Sequence, residues 1–145
     1  MYESETEFVL NYIRPDKRER LLHELTDRKK RSRGLDRFCH QSAELIDQKR
    51  ILLSGSDLGR QEEFCRFVSS HEEQTAILSP NPVLDGMVLP LADAVHAAMT
   101  DTDASIVLGT DYALVNGEAM KGFREHYLLV KNPASLRKST TTPKY

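Results

Sequence analysis

No run of apolar residues in this chain approaches the length of a membrane span. Its apolar segments are on the scale of Ile51–Leu53 and Tyr127–Val130, whereas a helix that crosses a bilayer needs about 20 such residues. A membrane-spanning role is therefore excluded. The chain opens Met-Tyr-Glu-Ser-Glu-Thr-Glu, acidic where a secretory leader is basic, and no apolar core follows, so a cytoplasmic location is expected. Only two cysteines occur, Cys39 and Cys65. Each falls on the apolar side of a predicted helix, and both are expected to be reduced thiols rather than a disulfide.

The signatures of recognisable chemistry are missing as well. There is no nucleophile elbow, no zinc-protease helix, no paired Cys-x-x-Cys, no P-loop lysine at its required spacing and no dinucleotide fingerprint. Neither an internal repeat nor a Gly/Ser-rich linker divides the chain, so residues 1–131 are expected to form one α/β domain, with a helical layer over 1–48 and a sheet-containing part over 49–131. The remainder, 132–145, is Ser, Thr, Pro and Lys with little to bury, and is expected to be a disordered tail.

What is present begins with size. A chain of 145 residues, 39% hydrophobic, is long enough to bury about two thirds of its unfolded surface in a core. The net charge of −2 hides a segregation: Arg14 to Arg37 carries 10 basic residues against 5 acidic, while Ile51 to Met120 sets only Arg60 and Arg66 against 11 carboxylates. Such an arrangement bears on association and docking and fixes no reaction.

Periodicity gives the elements. Ser4 and Glu7 have capping-box spacing, which predicts a helix over about Ser4–Ile13 with Phe8, Val9 and Tyr12 inward, closed by Pro15. Pro15 also suits the first position of a second helix, marked by Leu21, Leu22 and Leu25. A third carries the stripe Leu35, Phe38, Cys39, Ser42, Leu45 and Ile46. After Arg50 the pattern changes to short apolar runs: strands at Ile51–Leu53 and Thr75–Leu78, and a helix over Leu58–Ser69 with Leu58, Phe64, Cys65 and Val68 inward. A second helix over Leu89–Thr100 turns Leu91, Ala92, Val95 and Met99 inward. A hairpin of Ala104–Leu108 and Tyr112–Val115 and a last strand at His126–Lys131 complete the series. The order from Ile51 is β-α-β-α-β-β-β. The expected architecture is α/β with an α+β tendency: three N-terminal helices laid on one face of a small mixed sheet of about five strands, its helix-linked strands parallel and its late hairpin antiparallel.

Three constellations are candidates for function. Ser54, Gly55, Ser56 and Arg60 lie in a turn between a strand and a helix start, where free amides and the helix dipole favour an anion such as a phosphate. Asp57 in the same turn is itself a capping carboxylate that would occupy or repel the anion, and an ordinary capped connection accounts for the turn more simply. Asp93 and His96 are three apart on one helix, so the carboxylate is placed to orient the imidazole as a general base. Asp101, Asp103 and Asp111 follow near strand ends, but their spacing matches no calcium loop and no metal or other cofactor is expected. His23, His71 and His126 read as surface histidines, and Cys39 and His40, neighbours on a helix, point about 100° apart and do not form a nucleophile-base pair.

The third constellation is the basic run Arg28, Lys29, Lys30, Arg31 and Arg33 at the start of the third helix, where the dipole disfavours cations, so local helix stability is not what it serves. As a nucleic-acid contact it lacks neighbouring aromatics for stacking and sits in a chain of negative net charge. A solvated turn accounts for it most simply. Docking on a protein surface, including a second copy of the chain, ranks ahead of nucleic acid. The expectation is a small binding or regulatory module for a protein partner, without a defined catalytic activity. The competing expectation is an enzyme or receptor for a phosphorylated small molecule or nucleotide held at the Ser54–Arg60 turn.

Overall fold

The computed structural model describes residues 3–101, 103–117 and 125–133; most of the segment expected as a C-terminal tail lies outside them. The first helix, α1 (Glu3–Tyr12), ends ahead of Pro15, which opens a single 3-10 turn leading into α2 (Arg18–Thr26), as the proline's fixed φ and missing donor dictate. The third amphipathic stripe is buried along its length, but the helix beneath it is broken. It runs as α3 (Arg31–His40), turns at Gln41 and continues as the single turn α4 (Ser42–Leu45). Ile46 leaves the helix to form a β-bridge with Ile13, and the Arg14 amide donates to the Leu45 carbonyl at 2.9 Å. These bonds tie the end of α1 to the end of α4. Between α2 and α3 the packing is close enough that a Cβ on Gly34 would lie 2.8 Å from Cβ of Glu24.

The sheet contains β1 (Ile51–Gly55), β2 (Gln74–Leu78), β3 (Val88–Pro90), β4 (Ser105–Leu108), β5 (Tyr112–Asn116) and β6 (His126–Val130), in the spatial order β1-β6-β5-β4-β2-β3. Every pairing is antiparallel. This corrects the expectation of parallel, helix-linked neighbours. The connection through α5 (Glu62–Ser70) carries the chain from one edge of the sheet past the centre, and the meander β4-β5-β6 later fills the space left between β1 and β2. The short strand β3 falls where the sequence predicted a loop and the start of a helix. Pro90 fits there because an edge strand needs no donor on its outer side, and the same residue delivers the chain to α6 (Leu91–Thr100).

The strands β4, β5 and β6 are buried on both faces, which is why they read as nearly continuous apolar runs rather than alternating ones. Ile106, Val115 and Leu129 face α1–α4, where Phe8 meets Phe38 edge-on at 5.6 Å; Val107, Leu114 and Leu128 face α5 and α6. The N-terminal helices thus cover one face of the sheet as expected, and the other face is covered too. On α5 and α6 the inward residues differ from the sequence reading at two positions. Cys65 and Ala92 are exposed, while Phe67, Ala94 and Ala98 pack on the sheet. The other expected residues, Leu58, Phe64, Val68, Leu91, Val95 and Met99, do turn inward, and α5 itself starts only at Glu62 because Leu58–Arg60 forms a separate 3-10 turn. No helix among the described residues is long and apolar enough to cross a membrane.

Candidate functional site

The basic run sits at the corner where α2 gives way to α3. Asp27 shapes that corner: its side chain accepts from the Lys29 amide at 2.9 Å and its carbonyl accepts from the amides of Lys30 and Arg31 at 3.0 and 2.9 Å, an Asx arrangement that fixes the turn. Arg28, Lys29, Lys30 and Arg33 are exposed. Lys30 Nζ stands 3.5 Å from His23 Nε2 on α2. Arg28, Lys29 and Arg33 pair with no carboxylate among the described residues.

Arg31 belongs elsewhere. Expected with the exposed run, it points inward and donates through both terminal nitrogens to the two oxygens of Glu5, at 2.8 and 2.6 Å, while its Nε and Nη2 reach Asp85 at 3.3 and 3.2 Å. Glu5 is wholly buried on α1. The hydrogen bonding of the guanidinium to Glu5 is the main influence raising its proton affinity above the ordinary value, with Asp85 adding to it against the cost of burial. A buried carboxylate of this kind persists only with such a partner. Asp85 Oδ1 also accepts from the Ser79 amide at 3.1 Å. The ion pairs therefore connect α1, α3 and the β2–β3 loop.

The Ser54–Arg60 turn satisfies itself. Gly55 has φ +144°, a backbone region that side-chain-bearing residues avoid. A Cβ there would lie 3.1 Å from Asp57 Oδ1. Gln61 Nε2 donates to the Ser54 carbonyl at 3.4 Å and to Asp57 at 3.3 Å. Ser54, Ser56 and Arg60 are exposed, but the 3-10 turn that follows the serines and ends at Arg60 is only three residues long, and the first turn of α5 carries Glu62 and Glu63. Carboxylates at a helix start occupy the favourable field that an anion would need. Asp93 and His96 stand on the solvent side of α6. Asp101 accepts from Asn81 and from the Asp103 amide, and Asp111 pairs with Lys131 at 3.4 Å. These aspartates are turn and rim residues, and no group of three or more metal-capable side chains forms among the described residues.

Sequence reasoning missed a polar row across three central strands. His126 Nδ1 lies 2.8 Å from Asn116 Oδ1, and Asn116 Nδ2 donates to Ser105 Oγ at 3.1 Å. All three residues are buried. They are cross-strand partners, Ser105 with Asn116 and Asn116 with His126, and His126 is paired on its other side with Gly55. His126, read as a surface residue because Arg124 and Glu125 precede it, is held inward by the strict alternation of β6. Asn116 was hidden by Gly117, which makes the pair read as a turn. His71 is likewise more than a surface group, since its ring stacks on Phe67 at 4.1 Å and meets Tyr112 edge-on at 5.1 Å. The chain matches no protein-family model, no curated protein and no solved structure.

Proposed function

We propose that this chain is a binding module that recognises an acidic surface on a protein partner through the corner between α2 and α3, and carries no catalytic activity of its own. The observation that supports it is the fixed corner itself, with Arg28, Lys29, Lys30 and Arg33 facing solvent from a turn organised by Asp27. Cations held in one place lose less freedom on binding than cations on a loose loop, so more of their attraction appears as affinity. The remaining basic residue of the run, Arg31, supplies rigidity rather than contact. The cytoplasmic location expected from the sequence belongs to the same proposal.

The test is binding of fluorescein-labelled polyglutamate, followed by anisotropy at low and moderate salt, beside a labelled DNA duplex of similar charge. The reading expects polyglutamate to bind, to weaken as the Debye length shortens to about 10 Å near 0.1 M salt, and to lose at least about tenfold in affinity when Arg28, Lys29, Lys30 and Arg33 are replaced by serine. Equal binding by that variant, or tighter binding of the duplex, overturns it.

A further inference from the structure

Two exposed valines flank the residue that Arg31 grips, Val83 at the middle of the β2–β3 loop and Val88 as the first residue of β3. Val83 is 78% exposed and Val88 62%, the largest values among the big apolar side chains of the described residues. Single exposed apolar side chains are common on protein surfaces and mean little. Three features set this pair apart.

The loop that carries Val83 and leads into Val88 is stiff. Asn81 is its hub: Oδ1 accepts from the Val83 amide at 3.0 Å, Nδ2 donates to Asp101 at 2.9 Å, and the Asn81 carbonyl accepts from the amides of Leu84 and Asp85 at 3.1 and 3.0 Å. Leu84 is buried next to Val83, so the chain had the means to tuck an apolar side chain inward and displays Val83 instead. The loop is also positioned. Asp85 is bound to Arg31, so Val83 and Val88 lie two and three residues from one end of that ion pair, while Arg28, Lys29, Lys30 and Arg33 lie within three residues of the other. Finally, Val88 pairs with Ala76, which in turn pairs with Leu108 on the face that holds α1–α4. It therefore emerges on the basic side of the sheet.

Main-chain pairing does not explain the surface. The Met87 carbonyl accepts from Ile77 and the Leu91 amide donates to Glu73, so by alternation the N–H and C=O of Val88 face outward. Pro90 then ends the edge, leaving one residue's worth of hydrogen bonds, as edges guarded against strand addition do. Recognition here is by side chains.

We propose that the partner segment bears apolar side chains flanked by carboxylates, its apolar residues seated on Val83 and Val88 and its carboxylates on the neighbouring cations. This rests on the reading that the basic corner binds protein, and deepens it by naming what the partner must carry besides charge. The charge complementarity steers and orients the segment, and the valine contact supplies the part of the affinity that salt does not screen.

The experiment uses the full chain and two labelled peptides of equal length and charge, one with glutamates spaced by serines and one with leucines replacing those serines. The leucine peptide is expected to bind at least about tenfold tighter. Val83→Ser with Val88→Ser, at exposed positions that leave the core intact, is expected to abolish that advantage and leave binding of the serine peptide unchanged. Replacement of Arg28, Lys29, Lys30 and Arg33 by serine is expected to weaken both. If both peptides bind alike, or the double valine variant retains the advantage, the bipartite surface is refuted while the basic-corner reading stands; if neither peptide binds, both fall. If the chain alone self-associates in sedimentation experiments and the valine variant does not, the surface belongs to a second copy and the proposal of an acidic segment is overturned.

Discussion

Arg31 and Glu5 meet as a two-pronged pair, the two terminal nitrogens of the guanidinium bonded to the two oxygens of a carboxylate that has no contact with solvent. The residues are 26 positions apart and lie on α3 and α1, and the same guanidinium extends to Asp85 on the β2–β3 loop. One side chain therefore fixes the relative placement of two helices and the loop that displays Val83.

Replacing Arg31 by Ala strands the Glu5 carboxylate in the interior. Removing one member of a buried pair costs about 3–5 kcal/mol, so the urea midpoint is expected to fall by that equivalent. Arg28→Ala, at an exposed position three residues earlier, is expected to leave it nearly unchanged. Arg31→Lys is expected to be intermediate, because an ammonium keeps the charge and loses the planar fork. Equal midpoints for Arg31→Ala and the wild-type chain would contradict the assignment.

The ring of Tyr112 lies over Gly109, so that a Cβ at Gly109 would run into Cζ of that ring. Gly109→Ala is expected to destabilise by about 1–3 kcal/mol, the usual cost of overpacking. The penalty should largely vanish in a Tyr112→Leu background, and a double-mutant cycle in chemical denaturation reads it.

The Asn116 amide, with Nδ2 directed to Ser105, presents only its carbonyl oxygen to His126. A carbonyl accepts and does not donate, so His126 carries its hydrogen on Nδ1 whichever charge it bears. Long-range nitrogen-proton NMR of the imidazole is expected to show the Nδ1–H tautomer for the neutral ring; the Nε2–H tautomer would refute the arrangement. Asn116→Ala orphans groups on both sides and is expected to cost about 1–3 kcal/mol for each.

Alkaline titration tests the buried tyrosines. Burial chiefly raises the phenol pKa of Tyr12, Tyr112 and Tyr127, with Asp111, Glu73 and Glu125 respectively adding to it. The folded chain then holds these protons more tightly than the unfolded chain, whose phenols ionise near 10.0. Stability is expected to be unaffected by them below that pH and to fall as pH rises above it. Phenolate absorbance from Tyr12 and Tyr112, both buried, should appear together with loss of fold, whereas Tyr127 is only partly buried. Early, reversible ionisation of Tyr12 and Tyr112 in the native state would contradict their burial.

Thiol reactivity separates the two cysteines. Cys39 is buried and Cys65 exposed, so one equivalent of an aromatic disulfide reagent is expected to react promptly in the native chain and the second only on unfolding. Mass spectrometry should place the first on Cys65.

Helix and strand identities were largely legible because they depend on local period. The stripe from Leu35 to Ile46, the runs at Ile51, Thr75 and Ala104, and the Gly109–Asp111 turn all announce themselves within a dozen residues. The sequence was less informative where small shifts matter. A 3-10 turn at Leu58–Arg60 delays the start of α5, on which Phe67 packs inward and Cys65 is exposed. Among candidate sites, Arg28, Lys29, Lys30 and Arg33 were found as a surface cluster, while Arg31 was misread, because a charge run in sequence does not reveal which member has a buried carboxylate waiting on another helix.

The amino-acid order by itself determined most of the helices and strands, though not β3 or the break between α3 and α4, together with the N-terminal helical layer and the segregation of charge, since each follows from residue spacing along a few turns of chain. Only the tertiary structure decided that the strands run antiparallel in the order β1-β6-β5-β4-β2-β3, that Ser105, Asn116 and His126 line up in the interior, and that Arg31 joins Glu5 to Asp85. Periodicity says which side of an element turns inward and is silent on what it meets there. That choice is made by the summed packing and pairing of segments distant in the chain, and no local pattern records it.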